Sequence, residues 1–146
     1  MGNLKIEQVS SLNELAASVR AKLNSVAVMI SLVGDRGQQV IAIDGMTLPD
    51  QFQDGVPLDY SICQHTMAMN FPLAIDDAVS HPLLRDNKAF PELGITSYVG
   101  APIHDENKPV GAICAIELKQ RRWMTEEVDL MVMAAGIADG LIEHPA

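Results

Sequence analysis

No run of about 18 consecutive apolar residues, the length that a membrane span needs, occurs in the chain; Gly, Pro or polar residues break its least charged stretches. The opening segment MGNLKIEQVSSLNELAASVR lacks the basic-then-apolar order of a signal peptide. Met1-Gly2 resembles the start of a myristoylation motif, but position six is Ile6 rather than Ser or Thr, which discards it. Basic residues are few: 10 Lys and Arg against 19 Asp and Glu give a net charge of −9, the wrong sign for a phosphate-backbone footprint. The one basic cluster, Lys119, Arg121 and Arg122, is short and reads as a solvated loop before a helix. Neither a GxGxxG nor a GxxxxGKS phosphate loop is present. Histidines are scattered singly, without Hx₃H or CxxC spacing, so no metal site is expected. The two cysteines, Cys63 and Cys114, are far apart and read as reduced thiols of a cytoplasmic protein. There are no internal repeats and no low-complexity segments.

The 146 residues suit one domain, since one domain takes roughly 150. A chain of this size buries about 68–70% of its unfolded surface and needs no disulfide or metal staple. Apolar residues make up 48%, ordinary for a globular fold.

Along the chain, Ser11-Leu12-Asn13-Glu14 forms a capping box, and Leu12, Leu15, Ala16, Val19 and Leu23 follow helical spacing. This predicts a helix over 11–24, with a frayed extension before it. VAVMISLV (26–33) predicts a central strand covered on both faces. Gly34-Asp35-Arg36-Gly37 is a turn into a second strand over 38–43. The Gly- and Pro-rich loop 44–57 is at the upper edge of ordinary loop length, and long loops in compact domains are often functional. Residues 59–69 predict a helix capped by Asp59 or Ser61. A short strand over 72–75 follows, then irregular helical turns over 81–90, a hairpin of 97–104 with 110–118, and a last helix opened by Thr125-Glu126-Glu127, whose carboxylates suit its N-terminal dipole. The order predicts an α+β fold with terminal helices on one face of a mainly antiparallel sheet.

Candidate chemistry is sparse. Cys63 and His65 could be nucleophile and base, but residues two apart on a helix point to different sides; a buried Cys packing as a small hydrophobe is the alternative. Asp76-Asp77 could polarise a ligand, although such pairs more often cap turns. Gly100 in a strand marks a bulge or a close approach, and Pro102 belongs at an edge or irregularity. The small residues Gly100, Gly111, Ala112 and Ala115 leave room for a packed helix, the commoner explanation, or for a ligand. On the last helix, positions 130, 134, 137, 141 and 131, 138, 142 form two adjoining apolar stripes. One can cover the sheet and the other can pair with a second copy.

The runs VAVMISLVGDRGQ, SICQHTM, PLAIDDAVSHPLLRDN, ITSYVGAPIHDENKPVGAICAIE and RRWMTEEVDLMVMAAGIA, in that order, resemble a bacterial GAF domain of the kind found in sensor kinases, cyclic-di-nucleotide synthases and stand-alone GAF proteins. The resemblance spans about residues 8–143 of a single domain. It implies a central antiparallel sheet of about six strands, with the N- and C-terminal helices on one face and a small-molecule pocket closed by short helices and loops on the other. It implies a ligand site at Cys63, His65, Thr66, Asp76, Asp77, His81, Asn87, Phe90, Tyr98 and Ala101, with Tyr98 rather than Val99 facing the pocket, since neighbours in a strand alternate. No cofactor is specified. Asn87-Lys88-Ala89-Phe90 matches the start of a cyclic-nucleotide signature, but its Asp-Glu is missing after Phe90. Gln64 separates Cys63 from His65, where chromophore-binding members have Cys followed directly by His. The Gly-Val-Cys-Gly motif of the free methionine-(R)-sulfoxide reductases is also missing.

The reading is therefore a non-enzymatic sensory or regulatory module that binds a small molecule and signals through its terminal helices, as a homodimer or to a signalling partner. It binds neither nucleic acid nor membrane. With no output domain in these residues, the effect falls on a partner, or the chain is a piece of something larger. Two other readings remain: a small redox enzyme of the methionine sulfoxide reductase type using Cys63 or Cys114, and a structural dimerisation domain without ligand.

Overall fold

In a computed structural model, residues 6–143 are described; Met1-Gly2 and His144 lie outside them. The elements run α1 (Ile6–Leu23), β1 (Ala27–Gly34), β2 (Gly37–Asp44), α2 (Cys63–Met69), β3 (Leu73–Ile75), α3 (Ala89–Leu93), β4 (Ser97–Asp105), β5 (Lys108–Glu117) and α4 (Thr125–Glu143). Short 3-10 turns at Asp50–Phe52, Leu58–Tyr60, Ala78–Ser80 and Pro82–Leu84 fill the connections. Among the described residues the sheet has five strands, close to the expected six, in the order β2-β1-β5-β4-β3. All its pairings are antiparallel.

α1 starts five residues before the capping box. Ser11 therefore lies inside the helix rather than at its N-cap. Nothing in residues 6–10 breaks a helix, and extending one is far cheaper than nucleating it. Asn13 then serves tertiary structure, its side-chain oxygen accepting from the Ile43 amide of β2 at 3.2 Å. Asn24 closes the helix at positive φ (53°), its amide bonded to the Arg20 carbonyl.

Period-two alternation divides the sheet into two cores. On one face Val28, Ile30, Val99, Ala101, Ile103, Ile113 and Ala115 meet Leu12, Ala16 and Val19 of α1 and Met131, Ala134 and Ala138 of α4. On the other, Tyr98, Ala112, Cys114 and Ile116 meet Ile62, Cys63, Leu73, Ile75, Ala78, Leu84 and Ala89. Both terminal helices thus lie on one face, and the middle of the chain covers the other. Ala112 and Cys114 accommodate α2, the helix-packing alternative for the small residues.

Pro102 lies inside β4 but beyond the reach of β3, which pairs only with Tyr98, Val99 and Gly100. The strand is an edge at that point, and the missing N–H costs no ladder bond. Gly111 is tight for a different reason: a Cβ there would fall 1.9 Å from the Ser31 carbonyl oxygen of β1.

Candidate functional site

A cavity of about 160 Å³ lies on the face away from α1 and α4. Its floor is the sheet: Met29 of β1, Cys114 and Ile116 of β5, and Tyr98 of β4. Register explains the set. Tyr98 pairs with Ile116, Gly100 with Cys114, and Cys114 with Met29, so these side chains share a face. Ile62 and Cys63, at the start of α2, form one wall. Met46, Leu48, Pro49, Phe52 and Val56, from the long loop between β2 and α2, form another. That loop is pinned to the sheet by the Gln38–Val56 bridge, with bonds of 2.8 and 2.7 Å.

Gly100 provides the close approach signalled by a glycine in a strand, and the group that approaches is Tyr98 of the same strand. A Cβ on Gly100 would lie 2.4 Å from the Tyr98 hydroxyl oxygen. The ring therefore lies along the sheet over Gly100 and reaches α2. Its hydroxyl shares a hydrogen bond with Thr66 Oγ1 (2.8 Å) and lies 3.4 Å from Cys63 Sγ. Ser61 caps α2, its hydroxyl oxygen accepting from the Gln64 amide at 3.1 Å. The same hydroxyl donates to Gln38 Oε1 at 2.6 Å, and Gln38 Nε2 donates to Ser31 Oγ at 2.9 Å. A buried polar chain thus ties β1, β2 and α2 together beside the thiols.

The two cysteines, distant in sequence, line this one cavity, both free and buried. Hydrogen bonding from the Cys114 thiol pulls the Cys63 pKa down against the opposing effect of burial, with help from Tyr98 and Gln38. Its hydrogen bond to Cys63, together with burial, pushes the Cys114 thiol well above the usual range. Burial, then the Cys63 and Cys114 charges, hold the Tyr98 phenol well up, so it remains a donor.

Of the ten positions implied by the family resemblance, Cys63 and Tyr98 line the cavity, and buried Thr66 orients the Tyr98 hydroxyl. Ala101 lies on the opposite face, among the residues under α1 and α4. It is three positions from Tyr98, an odd step that reverses the face. Asp76 and Asp77 are structural. The Asp76 carboxylate accepts from the Trp123 amide at 3.2 Å; that of Asp77 accepts from the Val79 amide at 3.2 Å and from Gln120 Nε2 at 2.8 Å. His81 Nδ1 accepts from the Leu83 amide at 3.3 Å, capping the turn at Pro82–Leu84. Asn87 donates to the Ser61 carbonyl at 3.0 Å and accepts from the Ala89 amide at 2.8 Å, holding α3 to the start of α2. Phe90 is exposed on α3. His65 is half-buried outside the cavity, its pKa lowered by burial and then by nearby His81. The ligand site that the resemblance implies included neither Gln38 nor the 46–56 wall, and Cys114 entered only through the redox-enzyme alternative. The length of loop 44–57 and the shared parity of 98, 114 and 116 were the available signals. Among the described residues, no group of three or more His, Cys, Asp or Glu is placed to hold a metal ion. None of the described helices is long and apolar enough to cross a membrane.

A single antiparallel sheet with terminal helices on one face and a loop-closed cavity on the other defines a small α+β domain built around an internal pocket. The chain belongs to the GAF domain family, whose model matches residues 9–138. Its fold is similar to that of the type II free methionine-R-sulfoxide reductase from Thermoplasma acidophilum (TM-score 0.76, 17% identity, 96% of this chain and 95% of that one). It is also similar to a domain of a putative two-component sensor histidine kinase protein from Sinorhizobium meliloti (TM-score 0.69, 15% identity, 96% and 92%). The GAF domain of an Acinetobacter phosphoenolpyruvate-protein phosphotransferase is a third such structure (TM-score 0.74, 14% identity, 92% and 81%). No curated protein matches the chain in sequence.

Proposed function

We propose that the chain is a cytoplasmic, non-enzymatic sensory module of bacterial signal transduction. Its cavity takes a small, largely apolar molecule, and α4 passes the change on to a second copy or to a signalling partner. The observation that carries this reading is the cavity itself. Its wall is apolar apart from two thiols, the Tyr60 and Tyr98 side chains and Gln38, a set that orients a ligand by a few hydrogen bonds and holds it by burial. At about 160 Å³ it lies below the roughly 300 Å³ at which ordinary ligand pockets begin, which restricts the ligand to a few heavy atoms. His104 provides a route outward. Its Nε2 lies 2.7 Å from Asn70 Oδ1 at the end of α2, and its Nδ1 lies 3.1 Å from Asp139 Oδ2 on α4.

Native mass spectrometry of the purified chain tests the reading. A bound small molecule is expected, and it should be lost in Met46→Trp, which fills the cavity from its exposed wall. A bare mass, with no shift in melting temperature across a panel of small apolar compounds, would remove the sensory reading.

The second reading, a redox enzyme acting on methionine sulfoxide through Cys63 or Cys114, is favoured by the meeting of the two thiols in one cavity. It requires turnover of free methionine sulfoxide that Cys63→Ser abolishes.

A further inference from the structure

The cavity brings together the only two sulfhydryls of the chain and surrounds one of them with donors. Cys63 Sγ lies 3.4 Å from the Tyr98 hydroxyl, and Thr66 fixes that hydroxyl in place. Gln38, its amide held by Ser31 and Ser61, lines the same cavity. Such a set stabilises a thiolate, the reactive form of cysteine. Cys114, deeper in the sheet and fully buried, remains a protonated thiol beside it. No carboxylate and no imidazole lines the cavity. A charged reactant finds no counter-ion there, and an uncharged one of a few atoms fits.

We propose that Cys63 and Cys114 form a dithiol that reduces small hydroperoxides, with Cys63 attacking and Cys114 resolving. In the first step the Cys63 thiolate attacks the terminal oxygen of ROOH. An S–O bond forms, the O–O bond breaks, and the departing alkoxide takes up the proton that Cys63 gave up, leaving as ROH. Sulfur loses two electrons and the peroxide gains them. In the second step the Cys114 sulfur attacks the sulfenic sulfur. The S–S bond forms, the S–O bond breaks, and hydroxide leaves with the Cys114 proton as water. The sum is ROOH plus two thiols giving one disulfide, ROH and water. The product ties the start of α2 to the middle of β5. The far end of α2 reaches α4 through Asn70, His104 and Asp139. The thiol chemistry stands apart from the sensory reading; only its consequence in α4 rests on that reading.

The test uses the full chain, reduced and desalted, with one equivalent of tert-butyl hydroperoxide. Both thiols are expected to disappear together, and peptide mapping without reductant should join the Cys63 peptide to the Cys114 peptide within one chain. In Cys114→Ser, dimedone should trap a sulfenic acid on Cys63. In Cys63→Ser, Cys114 should oxidise at least about tenfold more slowly, since its full burial in the sheet disfavours the thiolate, the reactive form. Retention of both thiols in the folded wild-type chain, links between chains only, or oxidation of the pair by methionine sulfoxide but not by peroxide would overturn the proposal, and none of these readouts depends on a variant folding. Disulfide formation with unchanged hydrogen exchange in α4 would uphold the chemistry and remove the sensory reading.

Discussion

Gly100 fixes the position of Tyr98, the buried tyrosine of the cavity. A methyl group there would fall 2.4 Å from the Tyr98 hydroxyl oxygen and 2.7 Å from its Cζ. The ring cannot swing away cheaply, because it is buried and its hydroxyl is tied to Thr66. Gly100→Ala should therefore cost about 1–3 kcal/mol as overpacking, seen as a lower urea midpoint at unchanged slope. In a Tyr98→Ala background the same methyl should cost almost nothing, and a cost that persists there would place the clash elsewhere. The sequence signalled a close approach at Gly100, but the direction of the Tyr98 ring depends on α2 and was not legible. His65 gives a second residue-scale expectation. Burial and His81 hold its pKa below the ordinary 6.5, so the folded chain binds fewer protons there than the unfolded chain. The associated stability is full above 6.5 and is lost as pH falls through the folded pKa. Melting temperature measured against pH should fall more steeply on the acid side in wild type than in His65→Gln. Parallel curves would mean that another group sets the slope.

Elements are joined in this fold by a few long-range polar ties. Arg121 bonds Glu117 at the end of β5 (2.6 Å), Glu127 in the first turn of α4 (2.5 Å) and the Leu23 carbonyl at the end of α1 (2.7 Å). Its guanidinium lies over the Trp123 ring, 4.3 Å from the centroid. Glu117 also accepts from the Val26 amide at 3.2 Å and is buried. Arg121→Ala leaves that carboxylate without its cation and should cost about 3 kcal/mol, the low end for breaking a buried pair because Arg121 is partly exposed. Arg121→Lys should recover only part, since an ammonium cannot fork between two carboxylates and a carbonyl while stacking on an indole. Full recovery by Lys in denaturant unfolding would reduce the tie to simple charge. The sequence read Lys119, Arg121 and Arg122 as one solvated loop. That holds for Lys119 and Arg122, which are exposed, but not for Arg121. A local window cannot separate them, because two of the partners of Arg121, Leu23 and Glu127, belong to other elements. Strands, by contrast, were legible to within about two residues, since each repeats its period over many positions. Helix ends were less legible: α1 starts early, α2 starts at Cys63 rather than at 59, and α3 runs from Ala89 to Leu93 beyond the turns expected over 81–90, because one weak local signal competes with packing at each.

At the scale of the whole molecule, the fold leaves one helix face without a partner. Met131, Ala134, Ala135, Ala138 and Ile142 of α4 cover the sheet, so Ala134 belongs to the inner stripe rather than the outer one. The outer surface carries Met133 (63% exposed), Ile137 (50%) and Val132 (47%). Beside them Gly136 and Gly140 are exposed, with nothing within 4 Å of a Cβ built on either. Bare backbone next to large apolar side chains suits close approach of a second helix, and a second copy supplies an identical face about a two-fold axis. The net charge of −9 on each copy opposes that association through repulsion that salt screens. If burial of Met133 and Ile137 drives pairing, the dimer should tighten as salt rises, whereas pairing held by ion pairs would loosen. Light scattering across a salt series should show twice the chain mass and a dissociation constant that falls with added NaCl. Ile137→Glu, which places a charge at the centre of the face and disturbs no buried contact, should give a folded monomer with an unchanged melting temperature at low concentration. A strict monomer for wild type at high concentration, or a dimer that survives Ile137→Glu, would assign the α4 face to a different partner and send the signal out of the domain by another surface.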